Sequence, residues 1–277
     1  CLAIRARAGE PERMVARSGR AARRRARRPV QRGRPALADS PQPEASRRLV
    51  PHPASPMTPA SFRLATAAVR TVAAYVLVSL YVVLAGPPGL AMALLSGRPD
   101  ELYRLAVVGV RLGLWLTGIR FVVEGAEHVR PDRPAIYAVN HASNLEPPIV
   151  FLVLRPTFPR LQILYKAELR TLPILGRAFD VAGFVPIDRA NREQSDQAIA
   201  RAVRQLQAGN SFVVFPEGTR SRTGELLPFK KGAFLIALRA QAPIVPVAIL
   251  GARDAMRKGS PIIRPVTVHV KLGPAVE

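Results

Sequence analysis

The stretch Tyr137-Ala138-Val139-Asn140-His141-Ala142-Ser143-Asn144-Leu145-Glu146-Pro147-Pro148 decides the fold. A short apolar run stops at Asn140-His141. A carboxylate follows at Glu146, and the two prolines after it suit the first turn of a helix. Read as strand, turn and helix, these residues set an imidazole and a carboxylate at the mouth of an α/β sheet, where open sheets hold their ligands. His141 and Glu146 are close enough in sequence to meet across one turn. A carboxylate on one ring nitrogen fixes the tautomer and leaves the other nitrogen able to accept a proton. A lone histidine near a helix start is more often a plain surface residue, so the rest of the chain has to decide.

On both sides of this stretch the pattern is regular. Residues 121–123, 135–139, 161–166, 184–187, 212–215, 244–250 and 266–270 read as strands, and 147–154, 172–181 and 194–206 as helices, with another helix starting at 233–238. In the segment 194–206, Ala198, Ile199, Ala202, Val203 and Leu206 share one face, and Gly209 stops the helix. Strands alternating with helices predict an α/β fold with a mostly parallel sheet flanked by helices. This domain is expected over residues 120–277.

Upstream lies an apolar segment, expected to anchor residues 57–119 to a membrane. Residues 71–97 carry no charge and are long enough to span a bilayer, but Pro87-Pro88 should kink or break the helix. Residues 105–119, with Arg111 midway and Trp115 near the end, read as an interfacial helix. The alternatives are one span, a two-helix hairpin dipping into one leaflet, or a buried helix of a soluble core. Arg63 and Arg70 before the stretch, and Arg98 and Arg104 after it, set no orientation by charge.

The formal charge is +22, of which residues 1–56 carry 14 arginines against 4 acidic residues. That tail, rich in Arg, Ala, Pro and Ser, has no apolar periodicity and is expected to be disordered. It reads either as a basic tail, which could bind nucleic acid or anionic lipid, or as upstream sequence translated by mistake ahead of Met57. It lacks interleaved aromatics, so base stacking has no support and no nucleic-acid partner is expected. One cysteine excludes an internal disulfide and a cysteine metal site, and four histidines without a His-Glu-x-x-His arrangement argue against a zinc hydrolase. No metal and no cofactor are expected.

Two further loops follow strand ends. Gly183-Phe184-Val185-Pro186-Ile187-Asp188-Arg189 delivers an arginine to a strand's carboxyl end. In Phe215-Pro216-Glu217-Gly218-Thr219-Arg220-Ser221, a strand breaks at proline, Gly218 permits close approach of a ligand, and Arg220 offers a planar fork that suits phosphate. Lys230-Lys231-Gly232 adds positive charge nearby.

Together these stretches resemble the glycerophospholipid acyltransferase family, and within it the lysophosphatidic acid acyltransferases. The resemblance covers roughly residues 120–250. It rests on Asn140, His141, Ser143 and Glu146; on Gly183 and Arg189; on every position from Phe215 to Ser221; and on Val245, Pro246, Val247 and Ile249. Lys166, Pro173 and Gly176 fit the family's middle region. One departure stands out: Glu146 occupies the place of the family's usual aspartate. It keeps the charge and could still orient His141 if the turn yields by about an ångström; Glu146→Asp, which restores the family's residue, is expected to be tolerated or faster.

The resemblance implies that His141 and Glu146 are catalytic, and that Asn140, Ser143, Lys166, Gly183, Arg189, Glu217, Gly218, Thr219 and Arg220 form the substrate site. It implies acyl transfer from acyl-CoA or acyl-carrier protein to the sn-2 hydroxyl of lysophosphatidic acid, giving phosphatidic acid, at an inner-membrane surface with the site facing the cytoplasm. An imidazole, with an ordinary pKa of about 6.5, suits the base, and its place near a helix start is expected to keep it neutral. Glu217 would hold the glycerol hydroxyl or organise its loop. No Gly-x-Ser-x-Gly elbow is present, so direct attack without an acyl-enzyme is expected. The alternatives are another lysolipid or glycerol 3-phosphate as acceptor, or a catalytically decayed, membrane-anchored binding protein. A serine hydrolase is a distant third.

Overall fold

The computed structural model describes residues 60–188 and 190–277. The expectations for residues 1–56, and Arg189, lie outside the described residues.

Two helices come first, α1 (Ala60–Ser96) and α2 (Asp100–Thr117). They are followed by β1 (Arg120–Glu124), β2 (Ile136–Val139), α3 (Glu146–Val153), β3 (Leu161–Lys166), α4 (Pro173–Val181), β4 (Val185–Ile187) and α5 (Arg192–Gln207). The chain then forms β5 (Ser211–Val214), α6 (Lys231–Ala240), β6 (Ile244–Leu250), α7 (Ala252–Ala255) and β7 (Thr267–Leu272). The strands make one sheet in the order β1-β7-β6-β2-β5-β3-β4. From β6 to β4 every pairing is parallel; β7 runs antiparallel to β6, and β1 is parallel to β7. The sheet is therefore mostly parallel, with two reversed strands at one edge.

The residue pattern explains the placing. β5 is apolar apart from Ser211 and buried at every position, as a central strand covered on both faces must be. β6 and β7 alternate between exposed and buried, because only one face of that edge is covered. On one side of the sheet, Tyr137 and Val139 pack with Tyr103, Val107 and Leu114 of α2 and with Ile149 and Val150 of α3. On the other, Ile136 and Phe212 meet Ala198, Ala202 and Leu206 of α5 and Ile236 of α6. The Tyr103 hydroxyl donates to the Leu161 carbonyl and fixes α2 to β3.

One expectation about α1 is corrected in part, since the proline pair does not break the helix. The helix runs unbroken through Pro87 and Pro88. Each proline removes one backbone donor, but packing on both sides of the pair offsets that loss. Before it, the Tyr81 hydroxyl donates to the Leu105 carbonyl at 2.9 Å. Around it, Gly86 lies so close to Ile174, and Gly89 so close to Leu105, that an added Cβ would overlap those side chains. Small residues let helices approach in this way. α1 and α2 make an antiparallel hairpin that turns at Gly97, whose φ is +66°. By length and composition α1 is the one described helix able to cross a membrane, and Val69, Val72, Leu84 and Leu95 are exposed along it. It is not the buried helix of a soluble core.

Three polar side chains of α1's first half bond to other parts of the fold. Arg70 donates from Nε to the Leu116 carbonyl at 2.9 Å and from Nη2 to that of Trp115 at 3.4 Å, capping the carboxyl end of α2. The Tyr75 hydroxyl donates to the Pro261 carbonyl at 3.0 Å. The buried Thr71 hydroxyl donates to the Ala67 carbonyl at 2.7 Å and accepts from the Ile263 N–H at 2.9 Å. Thr71→Val keeps the shape but leaves the Ile263 N–H unpaired. It should cost about 1–3 kcal/mol of stability, read as a lowered denaturant midpoint in detergent solution.

Candidate active site

The parallel strands β2, β5, β3 and β4 all end on one side of the sheet, and the polar loops spring from those ends. After β2, the Asn140 amide bridges to β6: Nδ2 donates to the Ile249 carbonyl at 3.0 Å, and Oδ1 accepts the Ile249 N–H at 2.6 Å. The side chain thus continues the ladder where the backbone leaves it. Ser143 is fully buried; its hydroxyl donates to the Met256 carbonyl at 2.9 Å and accepts from the Leu145 N–H at 3.2 Å. Asn140 and Ser143 both hold the turn in shape.

Glu146 is the first residue of α3 and is fully buried. Its carboxylate accepts from the Ala142 N–H at 2.9 Å, and Oε2 stands 2.8 Å from His141 Nδ1. The longer side chain therefore reaches the imidazole in place. The helix dipole acts on Glu146, which opens α3, and His141 sits five residues earlier in the loop. A carboxylate only accepts, so Nδ1 carries the hydrogen, and in the neutral imidazole Nε2 is then the acceptor. Among the described residues nothing hydrogen-bonds to Nε2, and the His141 side chain is 16% exposed. An imidazole held in this way can accept a proton at Nε2.

The loop after β5 encloses the same histidine. Glu217, 2% exposed, accepts from the His141 N–H at 2.6 Å through Oε1 and from the Leu227 N–H at 3.0 Å through Oε2. Of the two expectations for Glu217, this contact is the loop-organising one. The Ser221 N–H donates to the His141 carbonyl at 2.7 Å. The Phe215 ring lies against the imidazole, with centroids 4.3 Å apart. Phe215 belongs to the recognised block, but the sequence assigned it no role of its own. It also lines a cavity of about 210 Å³ with Pro216, Gly218, Lys230, Ile187 and Ser195. Gly218, at φ +71°, lets the Lys230 stem lie against the turn, where a Cβ would sit 3.0 Å from it.

The remaining candidates fall in different places. Thr219 is exposed and its hydroxyl accepts from Lys258 Nζ at 3.3 Å. Arg220 is half-buried, and its guanidinium has no hydrogen-bond or ion-pair partner among the described residues. Lys166, at the end of β3, is exposed and pairs with Glu168 at 2.9 Å. Gly183 makes a turn at φ +80° against the Gln162 side chain. Residues 251–260, which hold both loops through Met256 and Lys258, carry no signal of their own in the sequence.

The description Acyltransferase matches residues 120–250 as a family model. The chain is 38% identical over 194 residues to the 1-acyl-sn-glycerol-3-phosphate acyltransferase of Limnanthes douglasii, a match that takes in 68% of this chain and 67% of that relative. To the protein of the same name from Cocos nucifera it is 37% identical over 162 residues, covering 58% of this chain and 51% of the relative. Among solved structures, the 1-acyl-sn-glycerophosphate (LPA) acyltransferase PlsC from Thermotoga maritima superposes with a TM-score of 0.65 at 27% identity, over 78% of this chain and 88% of that one. With matches of this length and identity, the chain belongs to the acyltransferase family.

Proposed function

We propose that this chain transfers an acyl group from a thioester, acyl-CoA or acyl-carrier protein, to the sn-2 hydroxyl of lysophosphatidic acid, and so makes phosphatidic acid. The observation that carries the reading is the 2.8 Å contact of Glu146 with His141 Nδ1, which leaves Nε2 open. The names of the relatives, which specify the same acceptor, support it. A hydroxyl attacks poorly until a base removes its proton. His141 Nε2 takes that proton as the oxygen bonds to the thioester carbonyl carbon. The tetrahedral adduct collapses, the carbon–sulfur bond breaks, and the imidazolium returns its proton to the leaving thiolate. Glu146 stabilises the imidazolium between the two steps. Arg220 and Arg189 would bind the acceptor phosphate, with Lys166, Gly218 and Thr219 around it.

In this reading residues 57–119 are the membrane-anchoring segment and residues 120–277 the acyltransferase domain. The exposed apolar length of α1 would hold the chain at the bilayer where the lysolipid resides, on the cytoplasmic side of the inner membrane.

The test uses the full chain in membranes, a labelled acyl donor, and lysophosphatidic acid or glycerol 3-phosphate as acceptor. Wild type should acylate lysophosphatidic acid in preference. His141→Ala should lower turnover about 10³-fold, the scale of a lost general base. Normal rates in that variant would remove the histidine from the chemistry. Because Glu146 stands 2.8 Å from Nδ1 in place, shortening it withdraws the carboxylate and opens a gap, so Glu146→Asp should be slowed about tenfold, against the tolerance expected from sequence. Glu217→Gln offers one acceptor oxygen to two N–H groups. It should cost about 1–3 kcal/mol and lower kcat, measured by thermal unfolding beside initial rates.

A further inference from the structure

Residues 251–260 lie beyond the family match and contain none of the recognised motifs, yet both loops of the site are fastened to them. α7 is seated by Ala252 and Ala255, each 1% exposed. Its next carbonyl, that of Met256, takes the Ser143 hydroxyl at 2.9 Å. Arg253 donates twice to the Arg222 carbonyl, at 2.9 and 3.2 Å. Lys258 follows, half-buried in a turn closed by the Ser260 N–H on the Arg257 carbonyl. Its ammonium donates to the Arg220 carbonyl at 2.9 Å and to the Thr219 hydroxyl at 3.3 Å.

One peptide group gives these contacts a single meaning. The Arg220 carbonyl and the Ser221 N–H are two edges of the same planar unit. Lys258 holds the first edge; the His141 carbonyl, at 2.7 Å, holds the second. The backbone from which the Arg220 guanidinium extends is thus fixed relative to the imidazole. The bond from Lys258 is charge-assisted, which makes it among the stronger hydrogen bonds available to a loop. An ammonium donates only, and both of the acceptors it meets here are oxygens of the Thr219-Arg220 turn.

We infer that Lys258 is a positioning residue for Arg220, and that through Arg220 it sets the affinity of the site for an anionic acceptor headgroup. The inference rests on the proposed function for the identity of that acceptor. It predicts a division of the kinetic effect that general loosening of the fold does not produce. The acceptor's phosphate is held in the ground state and the transition state alike, so losing its grip raises KM and spares kcat.

The experiment compares full-length wild type, Lys258→Met and Lys258→Arg in membranes, with lysophosphatidic acid and, separately, glycerol 3-phosphate as acceptors. Lys258→Met should raise the acceptor KM about tenfold, the scale of a lost charge-assisted hydrogen bond, with kcat within about twofold and the donor KM unchanged. Lys258→Arg keeps donors at the end of a long stem and should restore most of the acceptor KM. An acceptor KM within about twofold of wild type in the Met variant would overturn the inference. So would a fall in kcat matched by a lowered thermal midpoint, and so would failure of Arg to rescue. Wild type that acylates glycerol 3-phosphate and leaves lysophosphatidic acid untouched would sink the proposed acceptor, while the ratio of variant to wild-type KM on glycerol 3-phosphate would still decide the role of Lys258.

Discussion

The site depends on a buried carboxylate that bonds to backbone rather than to a cation. Glu217 takes the N–H of His141 on one oxygen and that of Leu227 on the other. Glu217 and His141 stand 76 positions apart in the chain. They meet because β2 and β5 are neighbours in the sheet. With the Ser221 N–H on the His141 carbonyl, the histidine's main chain is held at both its polar groups by one loop. A buried donor or acceptor left unpaired costs about 1–3 kcal/mol, so the two loops hold their shape together.

The same economy governs the charges. Glu146 and Glu217 are both buried, and neither pairs with a lysine or arginine among the described residues. Glu146 is satisfied by the Ala142 N–H and the imidazole, Glu217 by two N–H groups. The described cations that pair with carboxylates do so on the surface, as in Arg104–Glu101 and Lys271–Glu124, where such pairs contribute little. Backbone dipoles therefore offset the site's negative charge, and Arg220 is left unpaired among the described residues. An arginine already bound to Glu217 would have to surrender that carboxylate before it could take a phosphate.

Much of this was legible in the sequence, for reasons that differ by residue. The strand at β5 showed as an apolar run, and α5 as a 3.6-residue stripe, because burial on two faces and on one leave different periods. The reach from Glu146 to His141 was legible because it lies within one turn. Other features have no local signature. Reversal of β1 and β7 is set by how the edge is covered, and neither strand encodes its direction. Pro87-Pro88 reads as a break only while its neighbours are unknown; Ile174 and Leu105 are distant in sequence. Asn140 and Ser143 read as substrate ligands because the residue types that grip substrates also brace turns. In this turn their polar groups meet Ile249, Met256 and Leu145. Lys258 is one of five lysines and stands in no motif until its partners are seen.

The apolar amino-terminal segment is more than an attachment. Tyr103, Val107 and Leu114 of α2 lie in the same core as Tyr137 and Val139 of β2. Thr71 and Tyr75 of α1 bond to the strand-like segment that carries Ile263 and Pro261. That segment leads into β7 and lies just past Lys258 and Met256, which brace the site loops. Hydropathy changes sharply near residue 120, but packing does not, since one core runs across that point. A force that moved α1 against the sheet would have to break the Thr71 and Arg70 bonds first. α1 and the loops that hold His141 are therefore joined through one continuous set of contacts. Whatever fixes α1 at a surface also fixes how the imidazole faces it.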